Sequence, residues 1–534
     1  MMRTFALLSL AGLAASLGAQ PNIRPGTDVT NTLGSIASPS PTSGGRIGAF
    51  PNGEQAWGIT TTSCNVGTIN VPWLRDMNVD HPQIGMWMYR EYNGRFEQIS
   101  EFTGVKHGFT STNSPGCGNC PGGAGTSLVI GCTDTYGASL NYSHTYMAPP
   151  SEINPWTGMW TSRGSHFDRG FPPVSPPQDT DNIRSSISFP GTSTGYRNLV
   201  WDAGLNVTGA SFWVSAYYNV VGEPDANREN NFATQRFTTS WSGTQWSFST
   251  AGGHTQRPAI YMWTGATVTH ANNNNGADGR FYVGVKVTGP TAGMYHYEYA
   301  LFNRDNNGQG ASFRVPVCTT ATVTNASFRD TDMTPTNDWT VSRSGYELVF
   351  TAPAGNSLSW GNLYNFSFDC DMAPSDGVVS IDEATIGSGA SPAVHVAASC
   401  PLNTRNVNLG AGCGTPTPPA LAGVGVATIG NSSFSLKTTA VAANSANVFL
   451  LSANAVNVPI GSCRVFVDPT QILLVAGTAA NATGEATLPL PVPNDGSLNG
   501  AALAVQSVEV QAGGAYQGQA DFSNGLSVKL GSCN

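Results

Sequence analysis

The sequence predicts an all-β, multidomain protein of antiparallel β-sandwiches with a disulfide-rich, loop-rich N-terminal domain. Three observations carry that prediction. Short runs of β-branched and aromatic residues recur along most of the chain, separated by Gly, Pro, Asn, Asp and Ser clusters, which is the pattern of strands and turns. Only 11% of the 534 residues are charged, against roughly 25% in ordinary soluble domains, so Gly, Ser, Thr and Asn supply the polar surface. Ten cysteines fall into groups of four (Cys64, Cys117, Cys120, Cys132), two (Cys318, Cys370) and four (Cys400, Cys413, Cys463, Cys533). In an exported chain these read first as disulfides, paired within domains.

Export is expected from the first twenty residues. Arg3 supplies a basic end, residues 5–17 an apolar core, and residues 15–20 a small-residue cleavage region, so a mature chain should begin near Gln20. No later run reaches the ~18 apolar residues of a membrane span. The first domain is then expected over residues 21–170. Its organising feature is a hairpin: Ile84, Met86 and Met88 alternate with Gly85, Trp87 and Tyr89, Asn93-Gly94 forms a type I′ turn, and Arg95-Phe96-Glu97-Gln98-Ile99 returns. A Pro-rich break at residues 171–177 marks the expected boundary.

Residues 178–398 read as one sandwich unit, with strands expected at 211–218, 256–269, 280–287, 294–302, 346–351, 357–360 and 363–368. Residues 346–350 alternate poorly, as a strand buried on both faces would. A linker follows over 399–419, stiffened by Thr415-Pro416-Thr417-Pro418-Pro419. Residues 420–534 contain no Trp and many Ala, Val and Leu, and are expected to form a separable C-terminal β-sandwich. On grouping alone, Cys318–Cys370 and Cys400–Cys413 are the expected bridges outside the first domain.

Chemistry, if present, is expected in the first domain. Lys106 and His107 with Asp134 and Tyr136 could supply an electrophilic cation, a general base and a proton donor. His81, His107, His144 and His166 are candidate metal ligands, since imidazole with carboxylate suits zinc, copper or iron, although no pair has a spacing that puts two ligands on one element. Cys117-Gly118-Asn119-Cys120 lies in a Gly/Pro-rich loop and not between a strand and a helix, so two disulfides are a better reading than a redox dithiol. Gly191-Thr192-Ser193-Thr194-Gly195 matches a nucleophile elbow, but a strand and not a helix is expected after it. Glu223, Asp225, Asn227 and Glu229 place oxygens at alternate positions of a loop, and calcium is the cofactor such a loop would hold. Trp156, Trp160, Trp241 and Trp246 are candidates for stacking on sugar rings, with core packing the commoner use of such residues.

Several stretches carry a family resemblance. They are His81-Pro82-Gln83-Ile84 through Lys106-His107-Gly108-Phe109, Gly131-Cys132-Thr133-Asp134-Thr135-Tyr136, Tyr297-Glu298-Tyr299-Ala300-Leu301-Phe302-Asn303 and Trp360-Gly361-Asn362-Leu363-Tyr364-Asn365-Phe366. In these the chain resembles large exported multidomain β proteins of planctomycete-type bacteria, and its last domain resembles an accessory β-sandwich appended to many exported proteins there. The resemblance implies export and modular construction, and brings no catalytic residue with it.

A net charge of −9 without any Lys/Arg cluster argues against a nucleic-acid partner. The reading is an extracellular or cell-surface β protein with a structural, adhesive or ligand-binding role, and glycans or cell-surface components as partners. The alternative is an exported hydrolase or metal-dependent oxidoreductase with its site in the first domain. Convergence of His81, His107, Asp134 and Tyr136 in one pocket would favour the enzyme. Their placement on separate faces would favour the binding or structural protein.

Overall fold

The computed structural model describes residues 23–32, 40–74, 77–169, 181–184, 195–273, 279–386 and 392–533. The leader, the Pro-rich segment 171–177 and Ser193 of the elbow-like match lie outside them. Among the described residues the chain is almost entirely antiparallel β, and no helix exceeds four residues.

The expected hairpin is present. Strand Gln83–Tyr92 turns through Asn93 (φ 50°) and Gly94 (φ 85°) into Arg95–Gln98, with Tyr92 opposite Arg95. Positive φ at both central residues is what a type I′ turn requires. The alternation along the first strand sends Ile84, Met86 and Met88 into a cluster with Trp57, Trp73 and Tyr218. Trp87 and Tyr89 go to the opposite face, with Phe96, Trp213 and Tyr217. Both faces are therefore buried, and Gly85 is part of the reason they can be: a Cβ there would stand 2.4 Å from the Trp87 ring.

This strand is the centre of a seven-stranded sheet. On one side it pairs with Val105–His107, which pairs in turn with Met147–Ala148. On the other it pairs over nine residues with Ser211–Asn219, followed by Phe232–Trp241 and Trp246–Thr255. The boundary expected at 171–177 is thus not where the fold divides, because residues 211–255 complete the sheet that residues 83–107 begin. Two four-stranded sheets and a short two-stranded one cover its first face. They bring in Val29–Asn31, Thr61–Asn65, Cys132–Tyr136, Glu54–Gly58 and Leu199–Trp201.

The sandwich proper begins later than expected. Residues 256–266 are not a strand; they carry a 3₁₀ turn, Ala259–Met262, before Thr267–Asn272. Two five-stranded sheets then face each other. One runs Thr267–Asn272, Arg280–Thr291, Met294–Asn303, Leu363–Cys370, Val323–Arg329; the other runs Thr340–Ser344, Glu347–Thr351, Gly310–Pro316, Ser375–Glu383, Ala393–Cys400. Residues 347–350 are buried on both faces, as their poor alternation predicts, whereas 357–360 contributes only a bridge at Leu358. The second face of the N-terminal sheet packs on this sandwich, so Trp87 and Phe96 share a cluster with Tyr282, Phe302, Trp360 and Leu363. Polar contacts fix the docking: Arg95 Nε to Glu298 (2.8 Å), Arg329 Nε to Glu97 (2.8 Å) and Asn365 Nδ2 to the Phe96 carbonyl (2.8 Å).

The C-terminal sandwich is joined to the rest more firmly than a linker implies. Arg405–Gly410 pairs with Gly525–Lys529 at one edge of a six-stranded sheet, so part of the expected linker is a strand of the last unit. Cys318 bonds to Cys533, 215 positions away, and Cys413 to Cys463. The expected bridges Cys318–Cys370 and Cys400–Cys413 are therefore not formed; Cys370 and Cys400 are buried free thiols. In the first unit two disulfides are present as expected, Cys64–Cys117 and Cys120–Cys132. They staple the Gly/Pro-rich loop to Thr61–Asn65 and Cys132–Tyr136.

Candidate functional site

Lys106 and His107 are consecutive residues of a strand, so their side chains leave on opposite faces of the sheet. That one fact divides the expected site in two.

On one face, His107 meets His81: His107 Nδ1 and His81 Nε2 lie 2.7 Å apart, both residues only 3% exposed. Trp160 closes the pair, its ring 5.1 Å from His81 and 4.7 Å from His107, and Phe167 stands edge-on at 4.9 Å from His107. Burial holds both imidazoles in the neutral form, bringing His81 down to about 3 and His107 well below its ordinary value. His107 is further lowered by His81, Lys106, Arg184 and His166. The Leu74 backbone opposes the shift at His81. His107 Nε2 is buried and has no hydrogen-bond partner.

On the other face, the Lys106 ammonium nitrogen sits 3.3 Å above the Tyr136 ring centre and 4.2 Å above that of Phe109, with Tyr146 at 5.7 Å. Lys106 is fully buried and its Nζ has no hydrogen-bond partner. Burial pulls its pKa well below that of an ordinary lysine; Asp134 opposes the shift and Arg184 adds to it. Tyr136 Oη is already occupied: it accepts from Trp73 Nε1 (2.9 Å) and Phe109 N (3.1 Å), and donates to the Phe109 carbonyl (2.8 Å). Asp134 Oδ1 accepts from both Thr112 N (2.8 Å) and Thr112 Oγ1 (3.0 Å). Tyr136 and the Oδ1 of Asp134 thus hold loop 109–112, while Asp134 Oδ2 is buried without a hydrogen-bond partner.

Of the remaining candidates, His166 stands near the pair behind Phe167, and His144 lies beside Arg197. His166 packs against Phe167 and Tyr196, and its backbone N–H donates to Glu152. His144, half-buried beside Arg197, is lowered to about 4, chiefly by burial. Among the described residues no group of three His, Cys, Asp or Glu side chains has the geometry of a metal site. Sequence reasoning does not find Trp160, Phe167, Phe109 or Tyr146 as partners of the central residues; aromatic residues carry no spacing signal for a contact made across strands.

The expected calcium loop is put to another use. Glu223 is buried, accepts from Val29 N (2.7 Å) and from Asn231 Nδ2, and is raised to about 8 by burial. Asp225 accepts from Arg280 (2.6 Å), Arg304 and Asn272, Asn227 donates to the Thr27 carbonyl (2.9 Å), and Glu229 faces Arg257 (3.6 Å). The four side chains diverge, and arginines neutralise Asp225 and Glu229 where a cation would otherwise do so. Arg228 and Arg304 share Asp305 at 2.9 Å each, all three at most 1% exposed. The tryptophans considered for sugar stacking are also core material. Trp156, Trp160 and Trp246 are 3–4% exposed, and Trp241 stacks on Phe50 at 4.5 Å.

Comparison with known protein families finds no matching family model, and comparison with curated proteins finds no match. Among solved structures, the chain is similar to the major pilin subunit BcpA of Bacillus cereus at 9% identity and a TM-score of 0.16, covering 62% of this chain and 86% of that one. A variant form of the same pilin gives 8% identity and the same TM-score, covering 63% and 83%. A tetra-tandem repeat from the extending region of a large adhesion protein gives 10% identity and a TM-score of 0.13, covering 89% and 69%. Similarity at this level assigns neither a family nor a function.

Proposed function

We propose that the chain is an extracellular or cell-surface protein with a structural or adhesive role. One observation carries this reading: the side chains best suited to chemistry are divided between opposite faces of one sheet. His81 and His107 hold each other under Trp160, while Lys106, Tyr136 and Asp134 fix the 109–112 loop. The secretory leader expected from the first twenty residues, the four disulfides and the scarcity of charge support a place outside the cell, where reduced cytosolic thiol pools do not reach. Export and surface placement are tested by fractionating cells that produce the full chain and shaving them with protease. Recovery of the protein in the cytosol, with reduced cysteines, would refute the reading.

The enzyme alternative is favoured by buried polar atoms without partners among its candidates, His107 Nε2 on one face and Lys106 Nζ and Asp134 Oδ2 on the other. Metal analysis of the purified protein beside its His107→Gln variant separates the two. Stoichiometric zinc, copper or iron that the variant loses would establish a metal centre and displace the structural reading.

A further inference from the structure

Of the chain's four lysines, all of them among the described residues, three have polar partners. Lys286 Nζ donates to the Thr264 carbonyl (2.9 Å), Lys529 Nζ to Asn403 (3.1 Å), and Lys437 pairs with Glu485 (2.6 Å). Lys106 Nζ is enclosed instead by the Tyr136 and Phe109 rings, buried and without a hydrogen bond. A second unsatisfied atom belongs to the same site. Asp134 stands two residues before Tyr136 on strand Cys132–Tyr136, and Thr135 between them is exposed. The Asp134 carboxyl therefore leaves the strand on the inward face, beside the ring that Lys106 covers. Its Oδ2 is buried without a partner, while its Oδ1 takes two donors from Thr112, N (2.8 Å) and Oγ1 (3.0 Å). Each unsatisfied group is costly to bury, and a reaction between them removes both costs.

We propose that Lys106 and Asp134 join in an intramolecular amide, a covalent staple between the seven-stranded sheet and the sheet of Cys132–Tyr136 that covers it. The attacking amine must be neutral, and burial pulls Lys106 well below an ordinary lysine although Asp134 opposes the shift. The ammonium first passes one proton to Asp134 Oδ2, which replaces two charges by two neutral groups in a site shielded from water. Nζ then attacks Asp134 Cγ. The Thr112 N–H and O–H hold the negative charge that gathers on Oδ1, and Oδ2 leaves as water with a second proton from Nζ. A C–N bond forms, a C–O bond breaks, one water is released and no electron is transferred. The geometry described above is that of the chain before this step. Reductant opens the neighbouring disulfides, Cys64–Cys117 and Cys120–Cys132, but not an amide. The proposal goes beyond the surface role argued above and does not rest on it, since the bond is read by mass wherever the protein resides.

The full mature chain, denatured and reduced, should weigh one water less than its sequence requires, counted from its observed N-terminus. Trypsin should place the loss. It does not cut after an acylated lysine, so residues 96–163 should survive as one peptide lacking one water, whereas a free Lys106 yields 96–106 and 107–163. Asp134→Ala should regain the full calculated mass and be cut after Lys106. A parent chain of full mass would overturn the proposal. So would a lost water that maps to another peptide, as from a succinimide elsewhere, or one that folded Asp134→Ala retains. The digest of the parent decides by itself, so the result stands even where the variant fails to fold.

Discussion

Acid should destabilise this protein through its buried histidine pair. An imidazole free in the unfolded chain takes up a proton near pH 6.5, but His81 in the folded protein does so only at about 3. The unfolded state therefore binds more protons throughout that window, and stability falls as pH falls, by about 1.4 kcal/mol per pH unit. Between pH 7.5 and 5.0, His81 alone should cost about 2 kcal/mol. His107 is shifted in the same direction but shares a hydrogen bond with His81, so the pair titrates as a unit and its cost need not double. Two carboxyls, one buried and one partly buried, act oppositely. Glu223, raised to about 8, and Glu101, raised to about 7, hold protons when folded and so gain stability as pH falls. The raw pH dependence is therefore uninformative, and the useful quantity is a difference. Urea unfolding of the full chain and of the double variant H81N/H107Q should be compared at pH 7.5 and 5.0, both chains retaining the two glutamates. The parent should lose about 2 kcal/mol more than the variant over this interval. Equal losses, or histidine resonances of positions 81 and 107 that titrate near 6.5, would refute the assignment of a neutral buried pair.

Four further outcomes follow from the packing. Relative to a chain with Lys106 unlinked, Lys106→Met should raise stability by about 1–3 kcal/mol, read as a shifted urea midpoint, because it removes a buried amine that lacks a hydrogen bond; a loss would show that its contact with the Tyr136 and Phe109 rings outweighs burial. Gly94→Val should cost on the order of 1–3 kcal/mol in thermal or urea unfolding from backbone strain alone, since no atom lies within 4 Å of the position its Cβ would take. Truncation after Gly414 should lower the melting temperature of the remainder, because it deletes Cys533 and the partner strand of Arg405–Gly410; an unmoved transition would mean that the C-terminal sandwich is a passive appendage. Thiol titration of denatured, unreduced protein should find two groups per chain, Cys370 and Cys400, and four in the first unit besides would contradict its two disulfides.

What can be read from the sequence is local. Asn93-Gly94 encodes its own backbone conformation, and the alternation from Ile84 to Tyr89 encodes two faces, so hairpin and strand both form as expected. The division of Lys106 from His107 is equally readable once 105–107 is taken as a strand, since neighbours on a strand cannot share a pocket. What cannot be read is partner choice at long range. Nothing in residues 83–92 announces that residues 211–219 will lie beside them, so a Pro-rich segment reads as a boundary. Cysteine grouping fails for the same reason: an even count within a segment says nothing about distance, and Cys318 finds Cys533 across most of the second half of the chain. The acidic loop at 223–229 misleads because oxygen spacing specifies ligands but not the arginines that reach them from positions 280 and 304.

The rings that enclose the histidine pair and the seam between the first two units belong to the same hydrophobic cluster. Trp160 and Phe167, which enclose His81 and His107, are packed into the group that contains Phe102, Trp360, Leu363 and Phe302. Trp360 bridges the seam directly, standing edge-on against Phe102 at 5.0 Å and donating to the Pro150 carbonyl at 3.1 Å. Charging an imidazole there would place a cation inside the apolar surface that holds the N-terminal sheet to the sandwich, with Lys106 and Arg184 among its cationic neighbours. The same cluster explains why a chain with modular composition is not modular in structure: burying both faces of strand 83–92 requires the sandwich as its second cover.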